Sequence, residues 1–288
     1  MLDEVGIGVE IDGGTAAWSA DDAILYALGI GAGLSSIDEL RFVTENSAGV
    51  GQEVVPGFAL VAAGGFPLHV LPLVPLNRVL HASQRMEMHS VMPTVGRARI
   101  THVVRMIEDA GDDAFVTVET KLTHEPDKRL ISTITGTAFI RGAAGQGVPR
   151  QRIPSAGTPD RPADWVVVAP IAVNQALIYR LSGDRNPLHS DPAAARDAGF
   201  PSPIVHGLCS FGFAARTLLA TVVRGDTARF GVIESRFASV LMPGESLSFS
   251  IWATEDGAVF EAHAGERLVL GRGVFTLRGC TGDSRADT

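Results

Sequence analysis

The chain echoes itself in order. Ala23-Ile24-Leu25-Tyr26-Ala27-Leu28 recurs as Ala176-Leu177-Ile178-Tyr179-Arg180-Leu181, and Ser90-Val91-Met92-Pro93 as Ser239-Val240-Leu241-Met242-Pro243. Gly136-Thr137-Ala138-Phe139-Ile140-Arg141-Gly142 recurs as Gly273-Val274-Phe275-Thr276-Leu277-Arg278-Gly279. Three echoes in one order point to a duplicated unit, each copy a comfortable domain size. Between the copies lies a Gly/Pro-rich polar stretch, from Gly142 through Gly145, Gly147 and Pro149 to Pro154, Gly157, Pro159 and Pro162, which reads as a linker. The expected division is 1–142, a linker over 143–163, and 164–288.

Each copy reads as a helical opening followed by strands. In the second, Leu208, Phe211, Ala215, Leu218 and Val222 recur at steps of three and four, one buried stripe of a helix over Gly207–Val223 that Arg224-Gly225-Asp226 ends. Strand-like runs follow at Ile233–Val240, Ser246–Ala253, Val259–Ala264 and Leu268–Leu277, with turns at Met242-Pro243-Gly244-Glu245 and Glu255-Asp256-Gly257. The first copy has matching strands at Arg97–Ile107, Ala114–Leu122 and Ile131–Ile140. A helix followed by sequential strands predicts an α+β fold, an antiparallel sheet packed on one long helix. In the first copy that helix falls within Val54–Leu76, which carries no formal charge but is broken by Pro56, Pro67, Pro72 and Pro75. Each interior proline costs a helix ~3 kcal/mol and removes a donor that lipid cannot replace, so a membrane span is not expected. A shortened or broken helix would leave space beside the sheet for a long apolar ligand tail.

Composition narrows the partners. A net charge of -8, with no Lys/Arg cluster, argues against nucleic acid or an anionic membrane. Arg outnumbers Lys by 22 to 2, a bias of GC-rich bacterial genomes. Cys209 and Cys280 are the only cysteines and have no metal-type spacing, and Met1-Leu2-Asp3-Glu4 does not open a signal peptide. A reduced cytoplasmic setting is expected.

The chemistry concentrates in Tyr179-Arg180-Leu181-Ser182-Gly183-Asp184-Arg185-Asn186-Pro187-Leu188-His189. Gly183 permits a tight turn and Pro187 stiffens it, so Asp184 and His189 can converge on one small molecule, most simply a water. Adding water to an activated double bond requires such an acid/base pair. Asn186 offers donor and acceptor to orient the carboxylate or the water. The alternative is a solvated turn, since Gly, Asp, Asn and Pro are common turn residues. Ser190-Asp191-Pro192 reads as a helix start and Gly199 as its stop, which anchors the turn. Farther on, Gly207 opens the predicted helix with no side chain to block its N–H, so a carbonyl placed there would be polarised as in an oxyanion hole. His206 reads as a capping or packing residue. The shift that carries Ala23 onto Ala176 puts Gly31 at Asp184 and Ser36 at His189, so only the second copy should be catalytic.

The run Ser182 to His189, with His206-Gly207 beyond it, resembles the hydratase 2 motif of MaoC-like dehydratases. It is similar above all to the (R)-specific enoyl-CoA hydratase 2 module of peroxisomal multifunctional enzyme type 2 and its bacterial relatives. Asp22–Gly31 and Leu80–Gln84 resemble that family's first half. The resemblance implies a double hotdog, each hotdog a helix wrapped by an antiparallel sheet. It implies catalysis by Asp184 and His189, with Asn186 supporting and Gly207 binding the thioester oxygen. Arg185, the aromatic Phe237, His81 and Ala82 are the further substrate-binding positions it points to. His81 matches the His of the family's Leu-His-Gly-Glu-Gln loop, which here reads Leu80-His81-Ala82-Ser83-Gln84, and a family lysine that touches CoA is Ala110. The activity implied is reversible hydration of a trans-2-enoyl-CoA, of medium or long chain, to the (R)-3-hydroxyacyl-CoA. No metal or redox cofactor is implied, and a homodimer is expected. The alternatives are dehydration of 3-hydroxyacyl groups on an acyl carrier protein, thioester hydrolysis, and a non-catalytic acyl-thioester-binding subunit.

Overall fold

Described in this computed structural model are residues 6–34, 39–71, 74, 78–143, 147–150 and 157–279. The first half contains β1 (Glu10–Trp18), α1 (Ala20–Gly29), α2 (Leu40–Val43), α3 (Phe58–Ala62), β2 (Val79–Met88), β3 (Gly96–Ala110), β4 (Asp113–His124) and β5 (Leu130–Ile140). The two-residue β6 (Val148–Pro149) lies between the halves. The second half contains β7 (Trp165–Pro170), α4 (Gln175–Tyr179), α5 (Pro192–Asp197), α6 (Gly207–Thr221), β8 (Phe230–Phe237), β9 (Ser246–Thr254), β10 (Gly257–Ala264) and β11 (Arg267–Leu277).

Alternation along the strands builds one sheet. In β4 and β5 buried and partly exposed residues alternate, as they do where one face of a sheet is covered. The strand order is β1-β3-β4-β5-β2-β8-β11-β10-β9-β7, with β6 pairing β3. Read outward from the antiparallel β2–β8 pair, the two halves of that order mirror each other strand for strand. The duplication legible in the sequence is therefore a pseudo-twofold about this seam, whose register runs from Ser83↔Arg236 to Glu87↔Val232. The architecture is a double hotdog.

The sheet wraps α6 more completely than one stripe implies. Cys209, Ser210, Phe211, Gly212, Phe213, Ala214, Ala215, Thr217, Leu218 and Leu219 are all buried. A helix apolar on nearly every side belongs in an interior. Part of its cover is α1, which starts at a Ser19–Asp22 capping box. A methyl group on Gly212 would come within 2.5 Å of Ile30 and 2.9 Å of the Tyr26 hydroxyl, so glycine sets how closely α1 and α6 approach.

In the first half the prolines act as expected. Among its described residues the segment yields α3 and a 3-10 turn at Leu68–Val70; Pro72 and Pro75 lie outside the described residues. Val70 and Leu71 cover the sheet there, in a second apolar cluster with Val104, Val116 and Ala138. Among the described residues no helix is long and apolar enough to cross a membrane.

Candidate active site

The sequence folds the polar turn by handing the chain through three short elements. After α4, residues Arg180–Ser182 form a 3-10 turn, and Gly183 takes φ 136°, which a side chain would resist. Asp184 follows, exposed, and its Oδ1 accepts from the Asn186 backbone N–H at 3.1 Å. The Asn186 side chain does not orient the carboxylate. Its Oδ1 accepts from Leu188 N–H at 3.0 Å and caps the 3-10 turn Pro187–His189. Asp191 then caps α5 through Ala193 N–H, with Pro192 at the first helical position, as the sequence indicated.

His189 is buried, and its Nδ1 lies 2.9 Å from the Ile204 carbonyl. A carbonyl only accepts, so Nδ1 carries the proton and Nε2 keeps its lone pair. Burial holds this imidazole below its ordinary pKa, against the opposing pull of the Ile204 bond and the Asp184 charge. His206 stacks on it, ring centroids 3.7 Å apart and planes 25° from parallel, and donates through Nε2 to the Asp184 carbonyl at 3.2 Å. Burial, with His189 beside it, pushes His206 down to about 4. Tyr179, the first residue of the motif, packs against His206 with ring centroids 4.9 Å apart. His206 is thus the residue that sequence reading undervalued. It touches both Asp184 and His189, and its position before the helix-opening Gly207 was the only signal.

One ligand-type atom each of Asp184, His189 and His206 lies within 4.8 Å of the other two. One nitrogen of each imidazole is already spent on a backbone carbonyl, His189 Nδ1 on that of Ile204 and His206 Nε2 on that of Asp184. The arrangement suits a carboxylate and an imidazole sharing a water better than a tetrahedral cation site.

Gly207 begins α6 and is exposed, so its N–H is open to a ligand. A methyl group there would come within 3.4 Å of the Phe237 ring. Phe237 in turn lies 4.7 Å from the ring of His81, and His81 lies 5.2 Å from that of Phe66. Burial drives His81 down to about 4, and its Nε2 is buried without a partner. The structure therefore gathers Asp184, His189, Gly207, Phe237 and His81 around the head of α6, drawing on both halves across the seam. Ala82 is the extra residue of a register shift in β2, between His81↔Ala138 and Ser83↔Thr137. Arg185 is exposed and, among the described residues, unpaired.

At the first-half counterpart of Asp184 a side chain would not fit. Gly31, at φ 75°, is pressed so near α6 that a methyl group on it would come within 2.7 Å of the Phe213 ring. Ser36 lies outside the described residues.

Known proteins share both halves. The profile of the MFE-2 hydratase 2 N-terminal domain matches residues 17–142, and that of the MaoC like domain matches residues 154–271. The 3-hydroxyacyl-thioester dehydratase Y of Mycobacterium tuberculosis is 40% identical over 266 residues, covering 90% of this chain and 90% of its own. The enoyl-CoA hydratase ChsH3 of the same organism is 37% identical over 258 residues, 86% of this chain and 88% of its own. The crystal structure of a MaoC-like dehydratase from Phytophthora capsici superposes with a TM-score of 0.84 at 28% identity, covering all (100%) of both chains. With one profile on each half and relatives spanning nearly its whole length, the chain belongs to the MaoC-like family, in the branch that carries the MFE-2 hydratase 2 N-terminal domain.

Proposed function

We propose that the protein adds water reversibly across the double bond of a trans-2-enoyl-CoA to give the (R)-3-hydroxyacyl-CoA. The observation that carries this reading is the pairing of a buried, neutral His189, its Nε2 free to accept, with the Asp184 carboxylate beside it. A water held between them loses a proton to one member as its oxygen attacks C3. A proton returns to C2 from the pair on the same face, so the two groups act together and titrate as a unit. The Gly207 N–H, at the positive end of α6, takes the thioester oxygen as it gains enolate charge. The thioester itself acidifies C2. The wall from Phe237 through His81 to Phe66 leads into the Pro-broken segment and suits a medium or long acyl chain. The relatives named as an enoyl-CoA hydratase and a 3-hydroxyacyl-thioester dehydratase carry the two directions of this one reaction.

Loss of the conjugated enoyl-thioester absorbance, followed for acyl chains of increasing length, tests the proposal. Asp184→Asn and His189→Gln should each lower kcat by about 10²- to 10⁴-fold while the protein stays folded. Unchanged turnover in both variants would reject the assignment, and an (S) product would reject the stereochemistry. Release of free thiol in step with turnover would make the protein a thioesterase instead.

A further inference from the structure

The far end of α6, away from Gly207, borders a cavity that the proposed hydration does not use. An α-helix rises about 1.5 Å per residue, so Arg216 stands roughly 14 Å from Gly207 along the axis. There Arg41, Phe42, Val167, Arg216, Leu219 and Arg224 line a cavity of about 340 Å³, large enough for a small organic ligand. Its walls come from α2, from β7 and from the end of α6 with the turn beyond it. Phe42 and Leu219 are buried in the main core and Val167 packs against it, so the floor is apolar.

The polar groups of this cavity are cations with donors left over. Arg216 reaches Glu39 through Nη1 at 2.6 Å, while its Nε is buried without a hydrogen-bond partner. Both oxygens of Glu39 are already engaged, Oε1 by Arg216 and Oε2 by the Gly33 N–H at 2.8 Å. Arg41 donates to the Gly225 carbonyl at 3.0 Å and lies 3.4 Å from Glu53, which also accepts from the Thr227 hydroxyl at 3.1 Å. Arg224 follows the helix at φ 53° and is exposed; among the described residues it has no hydrogen bond or ion pair. Glycine would take that backbone conformation without strain, so the fold holds a guanidinium at the rim of the cavity at some conformational cost. Around the cavity three guanidiniums therefore face two carboxylates, Glu39 and Glu53, whose bonds are already made. The cluster lacks one anion.

We propose that this cavity is a second, non-catalytic site that binds a small amphipathic carboxylate, its head between Arg216 and Arg224 and its hydrocarbon on Phe42, Val167 and Leu219. A carboxylate matches a guanidinium fork two oxygens at a time. The apolar floor adds a contribution that a bare inorganic anion cannot draw on. Asp184 and His189 lie by the head of α6, so the carboxylate and the thioester bind without competing, and occupancy of the one site is independent of the reaction at the other.

Calorimetric titration with octanoate, octanol and inorganic phosphate separates tail from head. Octanoate should bind wild-type protein one to one even with octanoyl-CoA present at saturation. It should bind about tenfold or more tighter than octanol or phosphate, the scale of a charge-assisted hydrogen bond. Arg224→Gly, which suits the backbone at that position, should weaken octanoate about tenfold and leave octanol unchanged. Ala220→Trp, which puts a large ring into the cavity from an exposed position of α6, should abolish octanoate binding. Both variants should turn over the enoyl thioester at the wild-type rate. Displacement of octanoate by octanoyl-CoA, equal affinity for octanol or phosphate, or undiminished octanoate binding in both variants would overturn the proposal. Absence of enoyl-thioester turnover in wild-type protein would count against the hydratase reading alone, because the octanoate titrations of the two variants read the cavity directly.

Discussion

His206 donates to the Asp184 carbonyl while its ring lies flat on that of His189, so one side chain fixes the spacing between carboxylate and imidazole. Replacing it with phenylalanine keeps the stack and the burial and removes the bond. His206→Phe should therefore lower kcat about tenfold, with KM little changed, as steady-state kinetics on an enoyl thioester would read; one neutral hydrogen bond is worth about that factor. The turn that brings Asp184 and His189 together was legible because Gly, Asp, Asn and Pro in that order dictate a local turn. His206 was not. Its partners are set by how Val205 and Ile204 dock against Leu241 and Leu188 through backbone bonds, and no local pattern encodes that. The side chain of Asn186 shows the same limit in miniature: its chemistry was clear, but which backbone donor it would accept from was not.

Among the elements, α6 carries a tight packing constraint at Gly212. Gly212 should be a poor residue mid-helix, yet Ile30 and the Tyr26 hydroxyl occupy the space a side chain would need. Gly212→Ala should cost about 1–3 kcal/mol of stability by overpacking, despite its better helix propensity, as urea denaturation would show. Apart from β2, the inner strands and α6 could be read from sequence to within a few residues because each buries one face or one stripe against the core; β2 (Val79–Met88), at the seam, was missed. The outermost strands β1 and β7 escaped that reading. An edge strand has a neighbour on one side only; β1 leaves most of its residues exposed and β7 is a run of valines without alternation of residue type. The register shift that displaces Ala82 was equally hidden, since it depends on how β2 meets the sequence-distant β5, as in the Gln84 bond to the Thr135 carbonyl, 51 residues further along the chain.

At the scale of the molecule, buried imidazoles make stability depend on pH. His81, His102 and His206 are each held near 4 when folded, chiefly by burial, against an ordinary value of 6.5. Between those values the unfolded chain binds protons that the folded chain refuses. Their contribution is therefore complete above pH 6.5 and is lost as the pH falls toward 4. Denaturant midpoints measured across that window should decline, and less steeply in His206→Phe. The halves are also tied by Arg216 and Glu39, which meet at 2.6 Å with both side chains nearly buried. The β2–β8 seam has a further consequence. In a single-copy ancestor of such a fold, those two strands would belong to separate chains, and the site they frame would exist only at protein concentrations that favour pairing. Joined in one chain, the contact forms by an intramolecular step that dilution cannot reverse. The two halves can then diverge in sequence, as Gly31 and Asp184 have, while the contact between them persists.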